Sequence, residues 1–348
     1  MDVTLKKIAK EAGVSAGAVS RIINGTAAKI KISPATENRV MDIVRKLNYR
    51  PNFLARGLRS GKTGLIGAVM ASALDRKQGI VLQGIQRYFE QEDYGIVVYA
   101  TEYDPDREQR ALEFMFGKKV EGTILVSTLN WSKKIRDYVG ELERRGVRLV
   151  CMGVNLHPEI TSPFVGHDDR MAGYLAASHL LKTGRRKIAC ITNTFNSNPI
   201  GILRLAGYKK ALKEEGISFD EKLVFNCNPA EFSYFEWSYN AISRFLKSRR
   251  TCDAVFAHCD MCGFGVMRAV GDCGRRVPDD IAVISVGNEE FSEYSRPSLS
   301  SVDSNDYMLG QELAKTLRKM IKGEKVTSKL LKPNLIIRES SKGAPMKQ

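Results

Sequence analysis

TLKKIAKEAGVSAGAVSRIING, residues 4–25, decides how the front of this chain folds. Leu5, Ile8, Ala9 and Ala12 recur at the spacing of one helical face, and Thr4 ahead of them is a side-chain cap for the first turn. Gly13-Val14-Ser15 breaks that helix. Ser15 caps a second one, whose apolar face is Val19, Ile22 and Ile23 and which Asn24-Gly25 ends. Ser33-Pro34, a cap followed by proline at the first helical position, opens a third helix with Val40, Ile43, Val44 and Leu47 on its inner face. Three short helices with a three-residue turn between the first two describe a helix-turn-helix.

Charge follows the same division. Residues 1–62 carry 13 Lys/Arg against 4 Asp/Glu, whereas the other 286 residues are nearly balanced at 41 against 35. A basic head on a near-neutral body points to a polyanionic partner held at one end, with solubility charge as the plainer reading. On the second helix Ser15, Ser20, Arg21 and Asn24 supply short or cationic donors suited to phosphates and base edges. Downstream, Pro51 disfavours helix at Arg50, and Asn52 can cap a short helix running to Arg59. About eight residues with Gly57 inside are too few to hold a helix alone, so this segment is expected to order only against something else.

Val3–Ala9, Gly13-Val14-Ser15, Val19–Gly25 and Leu47–Asn52 together resemble the LacI/GalR family of bacterial transcriptional regulators, in order and in near-family spacing. The resemblance implies a homodimer on a near-palindromic double-stranded operator, with paired hinge helices in the minor groove. Leu58 matches the family's apolar wedge that parts a base step, and Ala55 matches the residue beside it. The DNA contacts it implies here are Thr4, Leu5, Ser15, Ala16, Gly17, Ser20, Arg21, Asn24, Tyr49, Asn52, Ala55 and Leu58. Ala16, Gly17 and Ala18 stand where relatives place larger polar or aromatic readers. More of the specificity is therefore expected from Arg21, Asn24, the hinge and DNA deformability. The loop Thr26–Ile32 is about three residues longer than usual and carries Lys29 and Lys31, either a tolerated surface insertion or extra phosphate contact.

From Leu65 onward apolar strands alternate with amphipathic helices. Strand-like runs are Leu65–Met70, Gly95–Ala100, Thr123–Val126, Val147–Cys151, Lys187–Thr192, Ala254–Ala257 and Ile281–Val286, with short ones at Ser298–Val302 and Leu335–Ile337. Helical stretches include Ile80–Glu92, Arg107–Phe116, Arg170–Thr183, Ile200–Glu215, Phe232–Leu246 and Met261–Cys273. Such alternation predicts parallel sheets in two α/β lobes, with a ligand cleft at the strand C-terminal ends. Arg204–Tyr208, Asp168-Asp169-Arg170, Val277–Ile284 and Leu335–Ser340 extend the family resemblance over about residues 3–341. The expected fold is an N-terminal all-α helix-turn-helix head with a hinge helix, followed by a two-lobed α/β periplasmic-binding-protein-like body with parallel sheets. The expected domains are 1–50 (helix-turn-helix), 51–62 (hinge helix and linker) and 63–341 (effector binding and dimerisation). Within the last, lobe 1 is about 63–162 plus 291–325 and lobe 2 about 163–290 plus 326–341.

The resemblance implies a small-molecule effector in the cleft, and by position Asp75, Asp168, Arg204, Phe232 and Asp260 are its expected contacts. A guanidinium and carboxylates offer paired donors and acceptors for hydroxyls or ring nitrogens, and a phenyl ring covers an apolar face. Lobe-interface salt bridges or core packing would account for the same residues. Asp75-Arg76-Lys77-Gln78 replaces the usual Asn-Pro-aromatic segment, so a familiar sugar or purine is less expected than usual; a sugar-like effector stays open, and Arg76 and Lys77 either favour an anionic or phosphorylated one or are simply solvated. Cys259 replaces an asparagine, and Ser285-Val286-Gly287 lacks the carboxylate expected after the last strand.

Other chemistry is weakly supported. Cys259-x2-Cys262 invites a zinc reading, but no second close pair exists, and buried structural thiols explain it better. There is no phosphate loop, HExxH or GxSxG, so no catalytic constellation, metal or cofactor is expected. No secretory signal or spanning run appears, and the seven scattered cysteines read as reduced thiols of a cytoplasmic protein with no membrane partner. The final residues lack apolar heptads, so a dimer is expected rather than a coiled-coil tetramer. The sequence thus points to an effector-controlled transcriptional regulator, most naturally a repressor. A sugar- or nucleotide-processing enzyme on the same fold, or an effector-independent DNA binder, is the rival reading.

Overall fold

The computed structural model describes residues 3–23, 32–49, 62–126, 133–154, 157–195, 198–228 and 233–342. They fall into two compact units, one up to Gly64 and one from Leu65 onward.

The first unit holds α1 (Leu5–Ala12), α2 (Ala16–Ile23) and α3 (Pro34–Lys46). Thr4 caps α1 and Ser33 caps α3 through their side-chain oxygens, while the Ala18 N–H donates to the Ser15 hydroxyl at 3.1 Å. Gly13 ends α1 at φ +67°, a left-handed conformation that glycine adopts without Cβ strain, and its N–H closes on the Ala9 carbonyl. The helices bury Ile8, Ala9, Ala12, Val19, Ile22 and Val40, with Ile43, Val44 and Leu47 packed against them. The periodic faces read from the sequence are the core.

The second unit contains two six-stranded sheets. Strands β1 (Leu65–Met70), β2 (Gly95–Ala100), β3 (Gly122–Val126), β4 (Leu149–Met152) and β5 (Phe164–His167) belong to the first. Strands β6 (Ile188–Thr192), β7 (Val224–Asn226), β8 (Ala254–Phe256), β9 (Ala282–Gly287) and β10 (Ser300–Asp303) belong to the second. After the helix Asp306–Ile321, β11 (Lys329–Leu331) returns to the first sheet and β12 (Asn334–Ile336) to the second. The orders are β11-β5-β4-β3-β1-β2 and β12-β10-β9-β8-β6-β7; all pairs are parallel except β10 with β12. Apolar clusters lie on both faces of each sheet, which is why the central strands read as unbroken hydrophobic runs.

The lobe boundaries differ from those expected. Phe164–His167 is in the first sheet, not lobe 2, and Ser300–Asp303 is in the second sheet, not lobe 1. Lys329–Leu331, placed in lobe 2 from sequence, also pairs in the first sheet, beside β5. Strands of three or four residues are too short to show which sheet they serve, because pairing is decided in space and not by the local pattern; β11, for one, pairs with β5 more than a hundred and sixty residues earlier. The helices Lys133–Arg144 and Asp306–Ile321 were not among the expected elements. The chain therefore passes between sheets three times, after His167, after Asp303 and between Leu331 and Asn334. No helix among the described residues is long and apolar enough to cross a membrane.

Candidate functional site

Two surfaces carry candidate chemistry, one on each unit. On the first unit, α2 presents Gly17 and Arg21 fully outward, with Ala16 and Ser20 partly exposed beside them. Thr4 is exposed at the start of α1, Leu5 and Tyr49 are partly buried, and Ser15 remains exposed at the start of α2. Lys6, Lys7 and Lys10 of α1 and Arg39, Arg45 and Lys46 of α3 are exposed, with Arg45 paired to Asp42 at 3.2 Å. A helix N-terminus offering free N–H groups, flanked by cations, suits phosphate oxygens. The small side chains of α2 leave its backbone able to approach a groove closely. Asn24, Asn52, Ala55 and Leu58 lie outside the described residues, as does most of the longer loop.

On the second unit, the C-terminal ends of both sheets face each other. Arg76, opening the helix Arg76–Glu90 of the first lobe, bonds Glu290 after β9 at 2.7 Å and lies over the Phe291 ring. Lys77 reaches Asp306 at 3.5 Å, and Asp306 also accepts from His167 Nε2 at 2.9 Å. Burial opposes ionisation of Asp306, yet Lys77 and His167 hold its carboxyl below the usual range. These contacts tie two of the chain's passages between lobes to the cleft.

The predicted effector residues divide by role. Asp75 accepts from the Gln78 N–H at 3.1 Å and from the Tyr103 hydroxyl at 3.3 Å, so one oxygen caps a helix and the other faces the ring. Asp168 caps the helix Asp169–Lys182 through the Met171 N–H at 2.9 Å. Its neighbour Asp169 is the carboxylate that pairs with Arg204, at 2.8 and 2.9 Å, and Arg204 also donates to the His258 carbonyl at 2.5 Å. Arg204 is 4% exposed and Asp260 is 0% exposed, so both hold the cleft floor together. Asp260 accepts from Ser285, from the Ser301 hydroxyl at 2.7 Å and from the Glu289 N–H at 2.5 Å, joining β8, β9 and β10. Phe232 lies outside the described residues.

Several cleft groups were missed. Glu289 stands two residues beyond Gly287 and supplies the carboxylate thought absent after the last strand; the signal was Asn288-Glu289-Glu290 itself. Burial pushes its carboxyl above the ordinary range, the Asp260 charge adds to that, and Arg76 opposes it. Asn193 donates to the Tyr234 hydroxyl at 2.9 Å, and the Tyr234 ring lies 5.8 Å from that of His258. Burial, with the Arg204 and Lys77 charges, holds His258 well below the usual imidazole range, so it is neutral at pH 7. Glu102 accepts from Ser72 at 3.3 Å on the opposite wall.

Comparison with known proteins fits both surfaces. Residues 4–52 match the family described as bacterial regulatory proteins, lacI family, and residues 177–341 match the periplasmic binding protein-like domain. Catabolite control protein A of Streptococcus mutans is 31% identical over 338 residues, which are 97% of this chain and 97% of that protein. The HTH-type transcriptional regulator CelR of Thermobifida fusca is 31% identical over 350 residues, 97% of this chain and 98% of that protein. A solved transcriptional regulator CelR–cellobiose complex is 28% identical, covers 97% of this chain and 99% of its own, and superposes with a TM-score of 0.71. The lac repressor bound to ONPG in its repressed state shares the fold at a TM-score of 0.85, with 24% identity over 98% of this chain and 100% of that one. With a helix-turn-helix, a two-sheet body and full-length similarity in one chain, this protein belongs to the LacI family of bacterial regulatory proteins and is a DNA-binding transcriptional regulator.

Proposed function

We propose that the protein is a homodimeric repressor that reads a near-palindromic operator and is released or retained by a small, uncharged, hydroxyl-rich effector. The observation that carries the effector class is the pairing of Arg76 with Glu290 and of Lys77 with Asp306, which offsets both cations with carboxylates of the protein itself. Asp75, Glu102 and Glu289 remain as acceptors for hydroxyls, with Asn193 and Tyr234 on the second lobe. The CelR–cellobiose complex, a relative solved with a sugar, supports the same reading. In this reading Asp168, Arg204 and Asp260 shape the floor, and Phe232 supplies the apolar face.

On DNA, Arg21, Ser20 and Asn24 read and position the major groove, Thr4, Leu5, Ser15, Ala16, Gly17 and Tyr49 border the phosphates, and Asn52, Ala55 and Leu58 serve the minor groove. Residues 52–59 gain helical order there, and closure of the lobes on effector biases that ordering. A coupling of about 1–3 kcal/mol would change operator affinity by roughly 5–150-fold.

An operator is first selected from a random duplex pool, and binding is followed by fluorescence anisotropy. Leu58→Ala is expected to weaken operator binding by about tenfold or more, because the bend that an inserted wedge holds open brings more protein surface onto the DNA. The melting temperature of the body should not move, and unchanged operator affinity would remove the wedge role. The same assay across salt should give log Kd against log salt a slope near 0.9 per phosphate neutralised. A flat dependence would contradict a basic head held on phosphates. For the effector, a melting-temperature rise with neutral sugars and none with sugar phosphates is expected, and the reverse pattern would overturn the class assigned here.

A further inference from the structure

Cys259-Asp260-Met261-Cys262 opens the helix Asp260–Asp272 directly after β8. Cys259 is the residue before the first turn, and its side chain makes no cap hydrogen bond. It is partly exposed, whereas Cys262, one turn on, and Cys227, at the end of β7, are 0% exposed in the lobe core. We propose that Cys259 and Cys262 form a redox-active dithiol on the cleft floor, oxidised by hydroperoxides to a Cys259–Cys262 disulfide.

Placement gives the two sulfurs different roles. At the helix start the free N–H groups and the helix dipole favour negative charge, which is where reactive thiols of C-x-x-C pairs sit. The Cys262 thiol and backbone N–H, one turn along the helix, favour the Cys259 thiolate, and the Arg204 guanidinium stands close by on the His258 carbonyl. These contacts draw the Cys259 thiol below its ordinary range against the opposing effects of burial and the Asp260 charge. Burial pushes Cys262 well above that range. The first is therefore the attacking thiolate and the second the resolving thiol. Among the described residues no three His, Cys, Asp or Glu side chains converge as a metal site requires.

The Cys259 thiolate attacks the O–O bond of the peroxide, forming the sulfenic acid and releasing hydroxide, which takes up a proton to become water. The Cys262 sulfur then displaces the sulfenic oxygen, its own proton leaving with it as a second water. Two thiols lose two electrons, and the peroxide gains them. Because His258 holds Arg204 and Asp260 holds the Glu289 loop, the pair lies between two anchors of the cleft.

The test uses the full-length protein, reduced and then treated with hydrogen peroxide at equimolar concentration. Free thiols are blocked afterwards, and the products are mapped by peptide mass spectrometry. The expected product is loss of two hydrogens within one peptide carrying both Cys259 and Cys262, reversed by dithiothreitol. Cys273, also partly exposed, is the internal control. At pH 7 Cys259 should be alkylated by iodoacetamide several-fold faster than Cys273. Cys262→Ala should trap a sulfenic acid on Cys259 that a dimedone probe labels, and Cys259→Ser should abolish the disulfide while preserving the melting curve. If Cys262→Ala does not fold, the wild-type alkylation rates and disulfide map still decide. Equal alkylation rates, a Cys227–Cys262 linkage, or no mass change under excess peroxide would each overturn the assignment.

Discussion

Arg204→Met should cost the body roughly 3–5 kcal/mol, the loss found when one member of a buried ion pair is removed and its partner stays charged in the interior. Arg204 and Asp169 side chains are 5% and 10% exposed, so water cannot replace the missing partner. The substitution also frees the His258 carbonyl, which accepts from Arg204. For a unit of this size about 2–4 °C of melting temperature accompanies each kcal/mol, so a drop near ~10 °C is expected by calorimetry at pH 7. Adding Asp169→Asn should recover much of it, because the buried charge then disappears. A loss under about 1 kcal/mol would show that the pair is not the anchor described here. Sugar binding should fail in the stable double variant if Arg204 also contacts the effector and survive if it only positions the floor. The second outcome is expected from its three contacts within the protein.

Gly310→Ala runs against what a helix ordinarily rewards. Within a helix, alanine is worth about 1 kcal/mol over glycine. Yet a Cβ at Gly310 would meet the Val81 carbonyl oxygen at 2.0 Å and the Gly84 Cα at 3.0 Å. Both are backbone, so neither can turn aside as a side-chain end would. The helices Arg76–Glu90 and Asp306–Ile321 approach each other through these two glycines, and a Cβ at Gly84 would likewise meet the Tyr307 carbonyl oxygen at 2.2 Å. Separating them opens the core around Val81, Ile85, Leu309 and Leu313. Overpacking of this kind costs about 1–3 kcal/mol or more, so Gly310→Ala should be clearly destabilising. Gly79, on the same helix as Gly84, has nothing within 4 Å of its Cβ position. Gly79→Ala should be neutral or stabilising in the same urea titration. Equal behaviour of the two variants would refute the close crossing.

What the amino-acid order determined was whatever neighbours a few residues apart could decide. Thr4, Ser15 and Ser33 cap helices as expected, because a cap bonds an N–H only two or three residues away. The runs Leu65–Met70 and Gly95–Ala100 are strands with the bounds read from their sequence; the first, buried along nearly its whole length, is an unbroken apolar segment because its sheet is covered on both faces. The family resemblance then supplied the architecture. Tertiary structure alone decided which carboxylates are already engaged within the protein. Asp168 and Asp169 are adjacent and chemically alike, but the helix turns about 100° between successive residues. One therefore caps the helix and the other meets Arg204, thirty-five positions further along. Asp260 was legible as a candidate effector contact but not as a side chain enclosed by Ser285, Ser301 and the Glu289 N–H. Arg76 and Lys77 were open as anion binders or as solvated charges, and only the fold shows that they pair with Glu290 and Asp306, more than two hundred residues away. Sequence spacing carries no information about such partners, because a charge's usefulness depends on what has already neutralised it in space.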